Sequence, residues 1–174
     1  LRPANPIYRD VMARTLNART HDELPPTLAN RWMDGQTLDM TELLKTFQQF
    51  WRENADAWIE RYDYKEAAPH LILQAFLQRV VNGGAQIERE FALGRGRVDI
   101  CVKYGKKAYP IEVKLAGRPK AESLEQILDY MAACGAKEGW VISFDRHPGR
   151  SWDEKISWST EAQPDGRIVH WVGG

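Results

Sequence analysis

Residues 96–115 read GRVDICVKYGKKAYPIEVKL, and the alternation in this stretch decides the architecture. Residues two apart in a strand share a face. Val98, Ile100 and Val102 form an apolar set, which leaves Arg97 and Asp99 pointing the other way. Further on, Ile111, Val113 and Leu115 are apolar, and Glu112 and Lys114 alternate with them. Tyr104-Gly105-Lys106-Lys107 is hairpin punctuation, so adjacent strands are expected at 97–103 and 108–115. With both aliphatic faces buried, Asp99, Glu112 and Lys114 converge on one surface. Unpaired charges there are costly and paired ones are weak evidence for stability, so the grouping calls for a chemical reason.

Working outward, residues 86–93 form a further strand, set off by Gly94-Arg95-Gly96. That Gly-rich turn joins two strands instead of opening a helix, so it is a poor phosphate loop. Pro69 is tolerable only in a first helical turn, which places a helix from near Lys65 to about Val81, ended by Asn82-Gly83-Gly84. On the other side a helix runs from about Pro119 to Cys134. Leu124, Ile127, Leu128 and Met131 give its apolar spacing, and Gly135 its stop. A short buried strand at 140–144 follows, then a terminal hairpin from strands at 156–160 and 167–172 around Pro164-Asp165-Gly166. Residues 1–62 read as helix and loop. Ile7, Val11, Met12 and Leu16 make one stripe, Leu24-Pro25-Pro26-Thr27 is a breaker, Asp34-Gly35 is a turn, and Thr41 to Tyr62 is a longer helix. The expected division is a helical segment, 1–62, and an α/β domain, 63–174, closed by the hairpin.

The bulk properties suit this reading. At 174 residues the chain is long enough for one principal domain with its own core. Its 43% hydrophobic and 28% charged residues exclude a disordered chain. No stretch approaches the ~18 apolar residues of a membrane span, so no membrane partner is expected. Lys plus Arg and Asp plus Glu are both 24, which rules out a generally basic nucleic-acid coat protein. Cys101 and Cys134 have no metal-ribbon spacing and read as ordinary buried thiols. A reducing cytoplasm fits them best. No signal peptide is recognisable.

The chemistry that needs two carboxylates beside an ammonium is metal-assisted attack on a phosphodiester. Hard carboxylate oxygens hold Mg²⁺, with Mn²⁺ as a substitute, while the metal takes its remaining contacts from water and phosphate. The metal activates the attacking water and neutralises charge at phosphorus. A neighbouring lysine orients the nucleophile or stabilises the transition state.

Helix, hairpin with Asp, strand with Glu-x-Lys, helix, strand resembles the PD-(D/E)XK nuclease superfamily, the restriction-endonuclease-like fold. The matching residues are Gly96-Arg97-Val98-Asp99-Ile100 and Ile111-Glu112-Val113-Lys114, with Arg97-Val98 where the family name has Pro. Many members carry Gln-x-x-x-Tyr on the next helix, and this chain has Gln126-Ile127-Leu128-Asp129-Tyr130. The resemblance spans roughly residues 62–146. It implies a mixed central sheet flanked by helices and a metal-dependent deoxyribonuclease. Mg²⁺ would be held by Asp99, Glu112 and the Val113 carbonyl. Lys114 would assist the water, with Glu66, Gln126 and Tyr130 in support. Asn5-Pro6-Ile7-Tyr8-Arg9 and the helical lead-in are similar to the region after an AAA-type ATPase module. No GxxxxGK[ST] occurs, so an associated ATPase core would lie upstream.

Each assignment has a plainer competitor. Asp99, Glu112 and Lys114 would otherwise be charges on a solvated sheet face, but a helix on each side argues against an open one. Glu66 is equally well a first-turn acid favoured by the helix dipole, and Glu66, His70, Gln74 and Gln78 would form a solvated stripe. Gln126 and Tyr130 share a helix face opposite the apolar stripe and would otherwise be a surface pair. Residues 89–120 hold nine Lys/Arg against three acids, which suits a phosphate backbone such as that of DNA. The alternatives to an enzyme are a catalytically inactive nuclease-like module binding DNA or protein, and a homo-oligomerisation domain of a larger ATPase.

Overall fold

The computed structural model describes residues 32–61, 68–81, 85–93 and 96–174. The Ile7–Leu16 stripe, the Pro-Pro breaker, the Asn5–Arg9 stretch and Glu66 lie outside the described residues. In chain order the elements are β1 (Met33–Asp34), β2 (Thr37–Leu38), α1 (Met40–Arg61), α2 (Ala68–Val81), β3 (Gln86–Leu93), β4 (Gly96–Tyr104), β5 (Lys107–Leu115), α3 (Lys120–Cys134), β6 (Glu138–Phe144), α4 (Trp152–Lys155), β7 (Ser157–Ala162) and β8 (Ile168–Gly173). The strands expected from 86 to 115 and both long central helices are present, with ends shifted by a few residues. Asp34-Gly35 is a turn, but it closes the two-residue strands β1 and β2, where only helix and loop were expected.

Six strands form one mixed sheet in the order β3-β4-β5-β6-β8-β7. The first three make an antiparallel meander. The chain then crosses through α3 so that β6 lies parallel to β5. The terminal hairpin is antiparallel within itself, and β8 inserts beside β6 in parallel, leaving β7 at the edge. The fold class is α/β.

Alternation sends the two sides of each strand to two different cores. Ile100, Val102, Ile111, Trp140, Ile142, Phe144 and Val172 face α1 and α2, meeting Leu43, Leu44, Phe47, Trp51, Ile72, Leu73 and Phe76. Phe47 stands edge-on to Phe76 and Phe144, at ring separations of 5.3 and 6.1 Å, within the range where aromatic pairs attract. On the other side Cys101, Val141 and Val169 meet Ile127, Tyr130 and Met131 of α3. Close approach of α3 needs Gly139 on β6. A Cβ there would lie 2.7 Å from Met131 Sδ and 2.8 Å from Ile127 Cγ1.

The described part of the 1–62 segment belongs to the first of these cores. Asp39 caps α1 by accepting the Glu42 N–H at 2.9 Å. The buried Gln48 then donates to the Gly173 and Ser157 carbonyls at 2.6 and 3.0 Å, tying α1 to the end of the terminal hairpin. The β1–β2 pair docks on the tip of the β4–β5 hairpin. The Leu38 N–H donates to Tyr109 Oη at 2.9 Å, and Tyr104 Oη donates to the Gly35 carbonyl at 3.1 Å.

Candidate functional site

Asp99 stands where the β4–β5 ladder stops. The last paired residues are Ile100 and Ile111. Beyond them Asp99 Oδ2 accepts the Val113 N–H at 2.9 Å, so a side chain supplies what a ladder carbonyl would otherwise give. The strands can therefore part while the backbone donor stays satisfied. Register with β6 sets Glu112 beside Val141 and Lys114 beside Ser143 on the α3 face.

Glu112 is 3% exposed. Its Oε1 lies 2.5 Å from Lys114 Nζ, and its buried Oε2 has no hydrogen-bond partner among the described residues. Lys114 Nζ also donates to Gln126 Oε1 at 2.7 Å, so the ammonium is held between β5 and α3. Burial, reinforced by the nearby Asp99 charge, raises the Glu112 carboxyl from 4.5 to about 7, against the opposing pull of Lys114. Glu122, in the first turn of α3, adds a smaller upward push and was not foreseen from the sequence.

The structure thus brings Asp99, Glu112, Lys114 and Gln126 together, with the Val113 backbone among them. Tyr130 sits one turn beyond Gln126 but belongs to the apolar cluster with Cys101, Ile127 and Met131. The expected helix face is rotated. Ser123, Ile127, Tyr130 and Met131 are buried, while Leu124 and Leu128 are only half-buried. Gly139 leaves room for Ile127 and Met131 against the sheet, and Tyr130 is buried in the same cluster. His70, Gln74 and Gln78 are half-buried on α2, whose core residues pack on the opposite face of the sheet. Cys101 is buried and Cys134 half-buried.

An acceptor oxygen held from water without a donor needs an explanation. Glu112 Oε2 is such an atom, and the Asp99 carboxylate lies close enough to perturb its group. Among the described residues no three His, Cys, Asp or Glu side chains gather as a metal cluster. The donor set is two carboxylates, with the Val113 carbonyl as backbone oxygen. These are hard oxygens, the kind Mg²⁺ and Mn²⁺ take, with room left for water and phosphate.

A pH dependence follows from the raised Glu112 group. The folded chain holds this proton more tightly than the unfolded one. Its contribution to stability is full below 4.5, falls as the pH rises toward about 7, and is lost above that. The whole span is worth ~3 kcal/mol. Urea melts of wild type and Glu112→Gln should therefore diverge across this window, the variant lacking the decline. Parallel curves would show that Glu112 is not the group responsible.

Residues 38–147 match the family described as Domain of unknown function (DUF8371). The chain belongs to this family. The match takes in α1 as well as Asp99, Glu112, Lys114 and Gln126, so the DUF8371 region crosses residue 62. No curated protein matches the sequence. Among solved structures, one similar to the DUF8371 chain is a Type III CRISPR defence DNA nuclease activated by cyclic oligoadenylate. It has a TM-score of 0.36 and 15% identity over 90% of this chain and 24% of that one. Another is SfsA of Pyrococcus furiosus in complex with Ca²⁺, with a TM-score of 0.31 and 16% identity over 78% of this chain and 64% of that one. The chain spans about a quarter of the first structure and under two thirds of the second. No helix among the described residues is long and apolar enough to cross a membrane.

Proposed function

We propose that this DUF8371 chain is a metal-dependent deoxyribonuclease of the PD-(D/E)XK type. The observation that carries the reading is the buried Glu112 carboxylate, one oxygen ion-paired to Lys114 and the other without a donor among the described residues, beside Asp99 on the same sheet face. The element order and the Asp99, Glu112-x-Lys114 and Gln126-x-x-x-Tyr130 pattern support it. So does the Lys114–Gln126 hydrogen bond.

Asp99, Glu112 and the Val113 carbonyl would hold Mg²⁺ or Mn²⁺. When bound, the cation supplies charge neutralisation at the phosphate and activation of the attacking water. Asp99 does two jobs at once, fixing the Val113 backbone and presenting a carboxylate. Lys114, held by Glu112 and Gln126, would orient the water and meet negative charge developing on the phosphoryl oxygens. Burial keeps these groups in a medium where such interactions are stronger than in bulk water. Glu66 would add a carboxylate from the segment before α2.

A nuclease assay on linear, circular and branched DNA tests this, with Mg²⁺, Mn²⁺ and EDTA compared. Cleavage with either metal and none in EDTA is expected. Intact DNA under every condition would replace the reading by that of a non-catalytic binding module.

A further inference from the structure

The lysines and arginines of residues 103–120 do not stay together in the fold. Lys106 and Lys107 are exposed at the tip of the β4–β5 hairpin, where the neighbouring Tyr104 meets the β1–β2 turn. Lys114 is seven residues beyond Lys107, about 23 Å along the strand at ~3.3 Å per residue. Arg118 lies at the other end, in the loop that follows β5. At that edge β5 and β6 run parallel and finish side by side, the Ala116 N–H donating to the Phe144 carbonyl at 2.9 Å. Two residues past each member of this bond stand Arg118 and Arg146. Both are exposed, and among the described residues neither has an ion-pair partner.

Both loops are firmly built. Gly117 takes a φ of +94°, open to glycine and strained for other residues, and Pro119 restricts Arg118 from the other side. In the second loop the Asp145 N–H donates to the Gly174 carbonyl at 2.6 Å. The Asp145 carboxylate accepts the His147 N–H at 2.8 Å and the Arg150 guanidinium at 2.7 Å. The acid next to Arg146 is thus occupied by Arg150, and the Arg146 charge is left to solvent. Ligands of open α/β sheets meet the crevice at the carboxyl ends of parallel strands. Guanidinium groups are suited to bidentate phosphate contact, and on loops held in this way the backbone needs little ordering on binding.

We infer that Arg118 and Arg146 form a clamp on the phosphate backbone of DNA, guiding the strand over the carboxyl edge of β5 and β6 into the site. The inference rests on the nuclease reading for the direction of the strand, but the contact itself is separately measurable. The substrate then crosses at the Lys114 end of the sheet, and the Lys106–Lys107 tip stays clear of it.

The test titrates a labelled DNA duplex in EDTA over a range of salt and follows cleavage in Mg²⁺. It compares wild type, Arg118→Ala/Arg146→Ala and Lys106→Ala/Lys107→Ala. Loss of two phosphate contacts should weaken binding at least ~10-fold at moderate salt and lower the salt slope by about two. KM should rise with kcat little changed, because such contacts hold substrate and transition state alike. The lysine pair should keep the wild-type slope. Cleavage with unchanged slope and KM in the arginine variant overturns the clamp and leaves the nuclease reading standing. An arginine-dependent slope without cleavage in any metal supports the clamp and overturns the reading. A slope that falls only in the lysine variant, or no DNA binding at all, also overturns the clamp.

Discussion

Lys114→Met should leave the chain folded and DNA-binding while cleavage falls by ~10²–10³, the scale for removing one preorganised donor to a transition state. Methionine keeps the unbranched stem along β5 and deletes only the charge. The variant loses contacts at 2.5 Å to Glu112 and 2.7 Å to Gln126. Breaking a buried pair by removing one partner can cost ~3–5 kcal/mol when the other charge is stranded. Glu112 is not stranded in that way. Its carboxyl already titrates at about 7, and without the lysine it rises further and takes up a proton. Protonation limits the cost, so the fold should hold. Because the ammonium acts chiefly as charge develops on the phosphate, the loss should appear in kcat, with DNA affinity nearly unchanged. Single-turnover cleavage beside an anisotropy titration separates the two. Cleavage persisting at the wild-type rate would remove Lys114 from the mechanism and send the search to another site. A matched fall in affinity and rate would make it a binding residue instead.

What is legible in the amino-acid sequence divides along physical lines. Strict alternation over 96–115 serves both as fold signal and as site signal, because Asp99, Glu112 and Lys114 fall at the positions between the apolar ones. Their convergence follows from strand pairing alone. The arrest of the ladder at Ile100–Ile111 is another matter, since it depends on the Asp99 side chain competing for the Val113 N–H. The insertion of β8 between β6 and β7 was also hidden. Local pattern predicts a hairpin, and the choice of which strand joins the sheet is made by distant contacts such as Gln48 to Gly173. Tyr130 departs from the expected face because amphipathic spacing counts a tyrosine as polar, whereas it is buried in the apolar cluster with Cys101, Ile127 and Met131. The short helix α4 rests on a capping box between Ser151 and Glu154, a local signal legible in the sequence as Ser-x-x-Glu. The basic stretch misled in a similar way. Nearness along the chain put Lys106 and Arg118 in one patch, and a nine-residue strand separates them.

The second large effect belongs to Asp99, and the substitution has to respect its two roles. Asp99→Ala would leave the part-buried Val113 N–H without its acceptor, a loss of ~1–3 kcal/mol that would mask any change in repulsion. Asp99→Asn keeps an oxygen for that N–H and removes only the charge. In the metal-free chain the carboxylate charge helps to push Glu112 upward, so its removal should lower the Glu112 group and reduce the decline in stability between 4.5 and about 7. The variant should therefore match or exceed wild type in stability above that window. With metal the order reverses. A cation that binds only the folded chain stabilises it by ~2.7 kcal/mol at a hundredfold excess over Kd, a rise in Tm on the order of 5–10 °C for a chain of this size. Mn²⁺ should give that rise in wild type and almost none in Asp99→Asn, since one of the two charged donors is gone. Thermal melts with and without Mn²⁺ measure both halves together. An equal Mn²⁺ response in the two proteins would place the metal elsewhere, whatever the assay on DNA shows. A less stable metal-free variant would mean that Asp99 contributes more as a hydrogen-bond acceptor than it costs as a neighbouring charge.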